Sequence, residues 1–506
     1  MIFDRLRSLS SPVTRFPLYI RASIVTSCVA MLFGMDTGTI GPVTTMPEFE
    51  KTFGKLSATI HGVVISSILL PGAISALVAG LLADKYGRIR LIVIGCCVYG
   101  LGAAVECSAT ILGVFILGRL IKGIGEGLFL STVYVQVCEI SPAKNRGTMS
   151  SLPQFAIVTG LLAGFFTCYG TVRIEGSSLS WRLPIGIASF LAFGFAATCS
   201  LCPPSPRWLL AKGEIEHARA VIASLGIGQV EQEELLAQSS VAIENPPDAS
   251  FFEALRRTFA DFGVAFSRPF RARTALGCFL MSFQQLSGID AILYYAPVLF
   301  RAAGLGSEQA TFLASGVSAI VIFVVTVVAS MLADVWGRRT ASLIGGVGIS
   351  VLMLIMGSLY AAGDVHPDRG AGRWIVIAGL YLFAIVFNGT WALSFRTFLV
   401  ESLPSRTRSS ASALAQSANW VTNYIVALTT PILIDKSIFG AYYFFAFSTM
   451  LATAVVAMFM FETKGRSLEV IEATYIQNTA RSTGRWGVAT TGFKLRRIRV
   501  NEISSP

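Results

Sequence analysis

Asp36 is the one ionisable residue in the apolar stretch Ile24–Val43, IVTSCVAMLFGMDTGTIGPV. A charge at the centre of a membrane helix costs roughly 2.5–3.5 kcal/mol on insertion scales. A carboxylate kept at that cost can take up and release a proton, which needs no metal and no cofactor. Further charged motifs come in matched pairs. DKYGRIR (Asp84–Arg90) is echoed by DVWGRR (Asp334–Arg339). A glutamate followed seven residues later by an arginine occurs as Glu139 with Arg146, and again as Glu401 with Arg408. Gly87 and Gly337 allow tight loops. The arginines, Arg88 and Arg338 among them, can pair with carboxylates or with helix C-terminal carbonyls across a seam between two halves. Such pairs latch one state and break in another. Enzyme chemistry has little support: there are 3 His, and no nucleophile stands in an arrangement with a base. The 9 Cys lie nearly all in apolar runs without metal-ligand spacing, so no metal is expected.

These side chains must be positioned inside lipid. The 506 residues are 53% hydrophobic and only 14% charged, where soluble proteins carry about 25% charged residues. Mean hydropathy is +0.65. About 20 helical residues cross a hydrocarbon core. Twelve runs of that kind are read at 20–42, 60–83, 90–107, 110–135, 150–172, 183–203, 273–300, 309–333, 340–362, 373–400, 408–434 and 439–461. The first is too long and too late for a cleaved signal and is taken as a membrane helix. Basic residues follow the even-numbered runs: Lys85, Arg88 and Arg90, Lys144 and Arg146, Arg338 and Arg339, Arg406 and Arg408. The positive-inside rule then puts those loops and both termini in the cytoplasm.

Between the sixth and seventh runs, Arg207–Arg273 is polar. It holds the helical patterns EQEELLAQ and FFEALRRTF around the breaker ENPPD. The expected organisation is an N-terminal segment 1–19, a bundle 20–206, a cytoplasmic linker with short helices 207–272, a second bundle 273–461 and a basic tail 462–506. The tail sequence FKLRRIRV either sets topology or touches anionic lipid. The fold class is an all-α membrane protein of twelve transmembrane helices in two pseudo-symmetric six-helix bundles. Duplicated bundles are the architecture of transporters with a site between the halves. Nothing points to nucleic acid.

GRLIKGIGEG (Gly118–Gly127), PPSPRWLL (Pro203–Leu210), QQLSGIDAILYYAP (Gln284–Pro297), DVWGRR and ETKGRSLE (Glu462–Glu469) together resemble the sugar porter family of the major facilitator superfamily. The likeness runs from about residue 20 to 470, and cysteine usage, loop style and tail look most like fungal members. It implies alternating access, with a hexose-like solute bound at mid-membrane. Asp36 falls where proton-coupled members keep an aspartate, and Arg119 matches its fourth-helix partner. Gln154, Gln284, Gln285, Asn419 and Trp420 match sugar-binding positions. Asp84, Arg88, Glu139, Arg146, Asp334, Arg338, Glu401 and Arg408 match an inner gate. Counting rise along the two helices leaves roughly 7 Å between Asp36 and Arg119 along the membrane normal, within reach of an arginine. Burial disfavours the ionised form of Asp36 and Arg119 favours it, so the two oppose. Glu126, on the Arg119 face of the same helix, is either a second partner for Arg119 or simply nears the cytoplasmic end.

The substrate positions depart from the family pattern. SGIN is SGID, placing Asp290 where an amide is usual; Ile322 replaces an asparagine; Arg396 occupies a tryptophan position, with Asn388 and Trp391 nearby. The tenth-helix hinge proline is missing, leaving a stiffer helix or one that bends at Gly389. Pro204 replaces an acidic residue in PPSPR. Either Asp290 and Arg396 pair, leaving a neutral sugar or polyol as solute, or Arg396 receives an anionic one such as a sugar acid. The expected function is proton-coupled symport of a sugar or polyol at the plasma membrane. Its alternatives are an organic acid or secondary metabolite on the same fold and, further off, a non-transporting nutrient sensor.

Overall fold

The computed structural model describes residues 16–142, 145–226, 232, 251–268, 270–305, 308–332, 337–366, 370–404 and 407–464. Asp334, Lys144, Arg406, nearly all of EQEELLAQ, ENPPD and the tail sequence FKLRRIRV lie outside these residues, as does the Arg146 side chain.

Twelve long helical segments are described. They are α1 (Leu18–Thr44), α2 (Ala58–Tyr86), α3 (Arg88–Ser108), α4 (Leu112–Ile140), α5 (Arg146–Thr171), α6 (Leu179–Cys199), α7 (Arg271–Tyr294), α8 (Glu308–Leu332), α9 (Arg338–Ala361), α10 (Gly372–Ser402), α11 (Arg408–Lys436) and α12 (Ile438–Phe459). Ten of them have a stretch long and apolar enough to cross a membrane by length and composition. The other two are α4, which carries Arg119, Lys122 and Glu126, and α11, which is rich in Ser, Thr and Asn. These polar residues depress the hydropathy of both. Short helices at Pro206–Ala211, Ile215–Leu225 and Phe251–Ala265 follow α6, and the last of these contains FFEALRRTF.

The chain divides into two compact units, one drawn from residues 1–55 and 70–255, the other from 56–69 and 256–506. The first half of α2 therefore belongs with the second unit, where a Cβ on Gly62 would run into the Leu428 carbonyl of α11.

Glycine seams set the first unit's geometry. Gly34 and Gly38 of α1 meet the Ile157 and Leu161 carbonyls of α5, and Gly160 and Gly164 of α5 meet the Met31 and Met35 carbonyls in return. Gly95 and Gly102 of α3 likewise press on the backbone of α4 at Gly125 and Gly118, while Gly118 and Gly125 press on α3 at Glu106 and Tyr99. Small side chains spaced one or two turns apart on one face bring helix backbones together where lipid supplies no hydrophobic drive.

Two helices of the second unit are interrupted. Helix α7 breaks between Gln285 and Ile289, where Gly288 has φ +88°. That conformation suits glycine, and a Cβ there would also meet the Phe445 ring at 2.9 Å. Helix α10 breaks at Thr390, directly after Gly389, without a proline.

Candidate functional site

The α1–α5 and α3–α4 seams bring five ionisable side chains into the interior of the first unit. Asp36 of α1 accepts from both guanidinium amino groups of Arg119 at 3.4 and 3.5 Å. Lys122, one turn beyond Arg119 on α4, places Nζ 2.5 Å from Asp36 Oδ1 and 2.5 Å from Glu106 Oε2. Arg119 Nη1 lies 3.4 Å from Glu106 Oε1. Asp36, Lys122, Glu106 and Arg119 thus form a closed ring of alternating sign. All four are buried, Asp36 the least so at 7% exposure. The Tyr99 ring lies 5.6 Å from Lys122 Nζ, and its hydroxyl donates to the Leu32 carbonyl at 3.1 Å, tying α3 to α1.

Paired in this way, two carboxylates and two cations cancel. Removing one partner would leave an uncompensated buried charge, at about 3–5 kcal/mol. Glu126 belongs to the same interior but not to the ring. It lies midway along α4, far from either end, and is 1% exposed. Neither carboxylate oxygen has a hydrogen-bond partner among the described residues. It is therefore neither a bonded partner of Arg119 nor a residue nearing a helix end; the glycine seam buries it at mid-helix. Lys122 and Glu106 were not among the candidate residues read from the sequence. Both are charges inside apolar runs, the signal that singled out Asp36.

The second unit holds a different kind of polar cluster. Asn419 of α11 donates to the Met281 carbonyl at 2.8 Å and to Gln284 Oε1 at 3.4 Å. Gln285 donates to Asn419 Oδ1 at 3.2 Å, and Gln284 donates to the Trp391 carbonyl at 3.1 Å. Asp290, just past the Gly288 break, lies beside the side chains of Gln285 and Asn423 and feels the charge of Arg396. Arg396 itself is exposed. Gln285 Oε1 and Asn423 Oδ1 have no partner among the described residues. They are acceptors ready for a hydroxyl donor.

Other expected positions are occupied differently. The Trp391 ring is fully buried and donates to the Ser342 carbonyl at 2.8 Å. It packs α10 on α9. Asn388 donates to the Ala384 carbonyl of its own helix at 2.9 Å, and Trp420 is buried. Gln154, in the first unit, accepts from the Tyr134 hydroxyl at 3.4 Å. A cavity of about 320 Å³ in the second unit is lined mainly by apolar groups such as Val324, Val328 and Leu393, and by none of the amides.

The repeated motifs make repeated bonds. In the first unit Arg88 holds Asp84 at 2.8 Å and Glu139 at 3.1 Å. In the second, Arg338 holds Glu401 at 3.1 Å. Arg408 instead donates to the Leu403 carbonyl at 3.2 and 3.3 Å, the helix-end alternative to a carboxylate. Each of these bonds closes inside its own unit, whereas the sequence suggested pairs across a seam. Trp208 of PPSPRW donates to the Asp84 carbonyl at 2.9 Å, and Glu462 of ETKGR accepts from the Arg338 and Arg339 amides at 2.7 and 3.1 Å. No group of His, Cys, Asp and Glu suited to a metal occurs among the described residues.

Helices with charged and amide clusters buried inside two units define the class: a multi-pass membrane transporter of the major facilitator fold. The solved structure of the proton:xylose symporter XylE bound to 6-bromo-6-deoxy-D-glucose superposes with a TM-score of 0.73 at 23% identity, covering 90% of this chain and 99% of that one. The inward-open form of XylE from E. coli gives 0.73 at 22%, with the same coverage. The family model described as "Sugar (and other) transporter" matches residues 22–475, and the chain belongs to that family. It is 32% identical over 455 residues to the glucose transporter GlcP of Staphylococcus epidermidis, covering 90% of this chain and 96% of the relative. Against the low-affinity glucose transporter HXT3 of Saccharomyces cerevisiae the identity is 29% over 490 residues, covering 93% and 84%. The protein is a transporter, not an enzyme.

Proposed function

We propose that this protein is a proton-coupled symporter of a sugar or sugar-like polyol, working by alternating access. The observation that carries this reading is the buried ring Asp36–Lys122–Glu106–Arg119. Four charges cancel only while every partner is in place, so adding or removing one proton changes which bonds the ring can keep. That is the requirement for linking a proton to a conformational change. Solute recognition falls to the amide cluster Gln284, Gln285 and Asn419 with Asp290 and Asn423, whose open acceptors match sugar hydroxyls. The names of the relatives, a glucose transporter and a proton:xylose symporter, point the same way. The plasma membrane, with both termini in the cytoplasm, suits the distribution of basic residues. The arginine pairs at Arg88 and Arg338 serve as latches of the inner gate.

A second reading, an anionic solute such as a sugar acid, draws on the exposed guanidinium of Arg396 in the neighbourhood of Asp290. Counterflow in proteoliposomes with a panel of hexoses, pentoses, polyols and sugar acids, with and without an inward proton gradient, tests both. Saturable hexose or polyol exchange that becomes accumulation under the gradient is expected. Competition by carboxylates and not by hexoses selects the second reading, and exchange that ignores the gradient removes the proton.

A further inference from the structure

The interior cluster of the first unit contains three carboxylates and two cations. The ring uses two of each, with Asp36 and Glu106 both bound to Arg119 and to Lys122. Glu126 is the odd group, 1% exposed and bonded to nothing described. An ionised carboxylate buried with no partner costs several kcal/mol, and binding a proton removes most of that cost. The charges that act on Glu126 are Asp36 from α1 and Arg119 and Lys122 from its own helix, and its charge also reaches the neutral Tyr99 phenol on α3, beside Glu106. The one charged residue of α5 is Arg146, at its first position.

We propose that the coupling proton rides on Glu126, while Asp36 stays an anion paired with Arg119. The inference rests on the proton-coupled reading above and deepens it. Lys122 is the switch, because it stands four residues before Glu126 on one face of α4. While Lys122 bonds Asp36 and Glu106, Glu126 is neutral. When Lys122 turns toward Glu126, the O–H bond of Glu126 breaks, the proton leaves to water, and a Lys122–Glu126 pair replaces the two bonds to Asp36 and Glu106, which Arg119 then holds alone. Loading reverses this, with an O–H bond formed on Glu126 and Lys122 returned to the ring. A space of about 10 Å³, bordered by Asp36, Glu106, Arg119 and Lys122, fits roughly one water beside the ring.

Two measurements on the purified, reconstituted protein test the inference. In infrared difference spectra between wild type and variants at neutral pH, the protonated-carboxyl band should vanish in Glu126→Gln and persist in Glu139→Gln, whose carboxylate is paired with Arg88 outside the ring. In proteoliposomes, Glu126→Gln should lose accumulation driven by a proton gradient and the accompanying alkalinisation outside, with counterflow measured alongside to separate uncoupling from misfolding. A band unchanged in Glu126→Gln overturns the inference. So does a Glu126→Gln variant that accumulates as wild type does, and symport then stands with the proton elsewhere. A wild-type protein that moves no protons with any solute overturns the coupled reading itself. The spectra would still decide whether Glu126 is protonated.

Discussion

The two units repeat one architecture and divide the chemistry. At the ends of their helices they are alike: Arg88 with Glu139 and Arg338 with Glu401 make the same bond from the same sequence signature. In their interiors they differ. The first unit is closed by glycine seams and holds five ionisable side chains, four of them in a ring. The second has its helices α7 and α10 interrupted beside a cluster of amides. Charges respond to protons, and amides respond to hydroxyls. A duplicated fold can therefore assign the ion to one copy and the solute to the other, keeping common only the parts that hold helix ends together.

Substitutions can break or sharpen that division. Asp36→Asn opens the ring and leaves it one positive charge in excess, which Glu126 can neutralise only by giving up its proton. The accumulation ratio in proteoliposomes should fall to that of passive equilibration, while counterflow continues. An Asn variant still accumulating solute against its gradient would show that coupling does not reside in this unit. Lys122→Met removes a cation shared by two buried carboxylates. Stability should drop by about 3–5 kcal/mol, read as an earlier transition in detergent-solubilised thermal unfolding. Little change there would mean that the ring is not tight.

In the second unit, Gln285→Ala removes a donor to Asn419 and an open acceptor. The loss of one buried hydrogen-bonding group is worth about 1–3 kcal/mol, so the half-saturating solute concentration should rise by about five- to a hundredfold. The accumulation ratio at saturation should hold. A variant that keeps its affinity but loses coupling would reverse the assignment of roles. The smallest effect is expected at the shared feature: Arg338→Gln removes a partly exposed pair worth about 1 kcal/mol or less. It should change the rate of exchange more than stability, and Arg88→Gln should behave alike. Unequal effects of these two would show that the helix-end latches, too, have diverged.

How much of this was legible beforehand follows from what kind of force sets each feature. The lipid requirement acts on every residue, so twelve apolar runs, their order and the polar interval after α6 could be read along the chain. Asp36 was visible because a lone charge in an apolar run has no bland explanation, and its pairing with Arg119 followed from helix rise and a family motif. Lys122 and Glu106 carry the same signal, but their meaning depends on the α3–α4 seam, where glycines let Glu106 reach both cations. Whether a charge is partnered is a property of three dimensions. Glu126 shows the converse: sequence put it on the face of Arg119, and packing left it alone. Trp391 was expected at the solute, yet the indole is turned into α9. The sequence by itself determined which residues enter the membrane and which of them are chemically costly there. Tertiary structure decided which of those costs are cancelled, because cancellation needs contact within a few ångströms and only packed helices provide it.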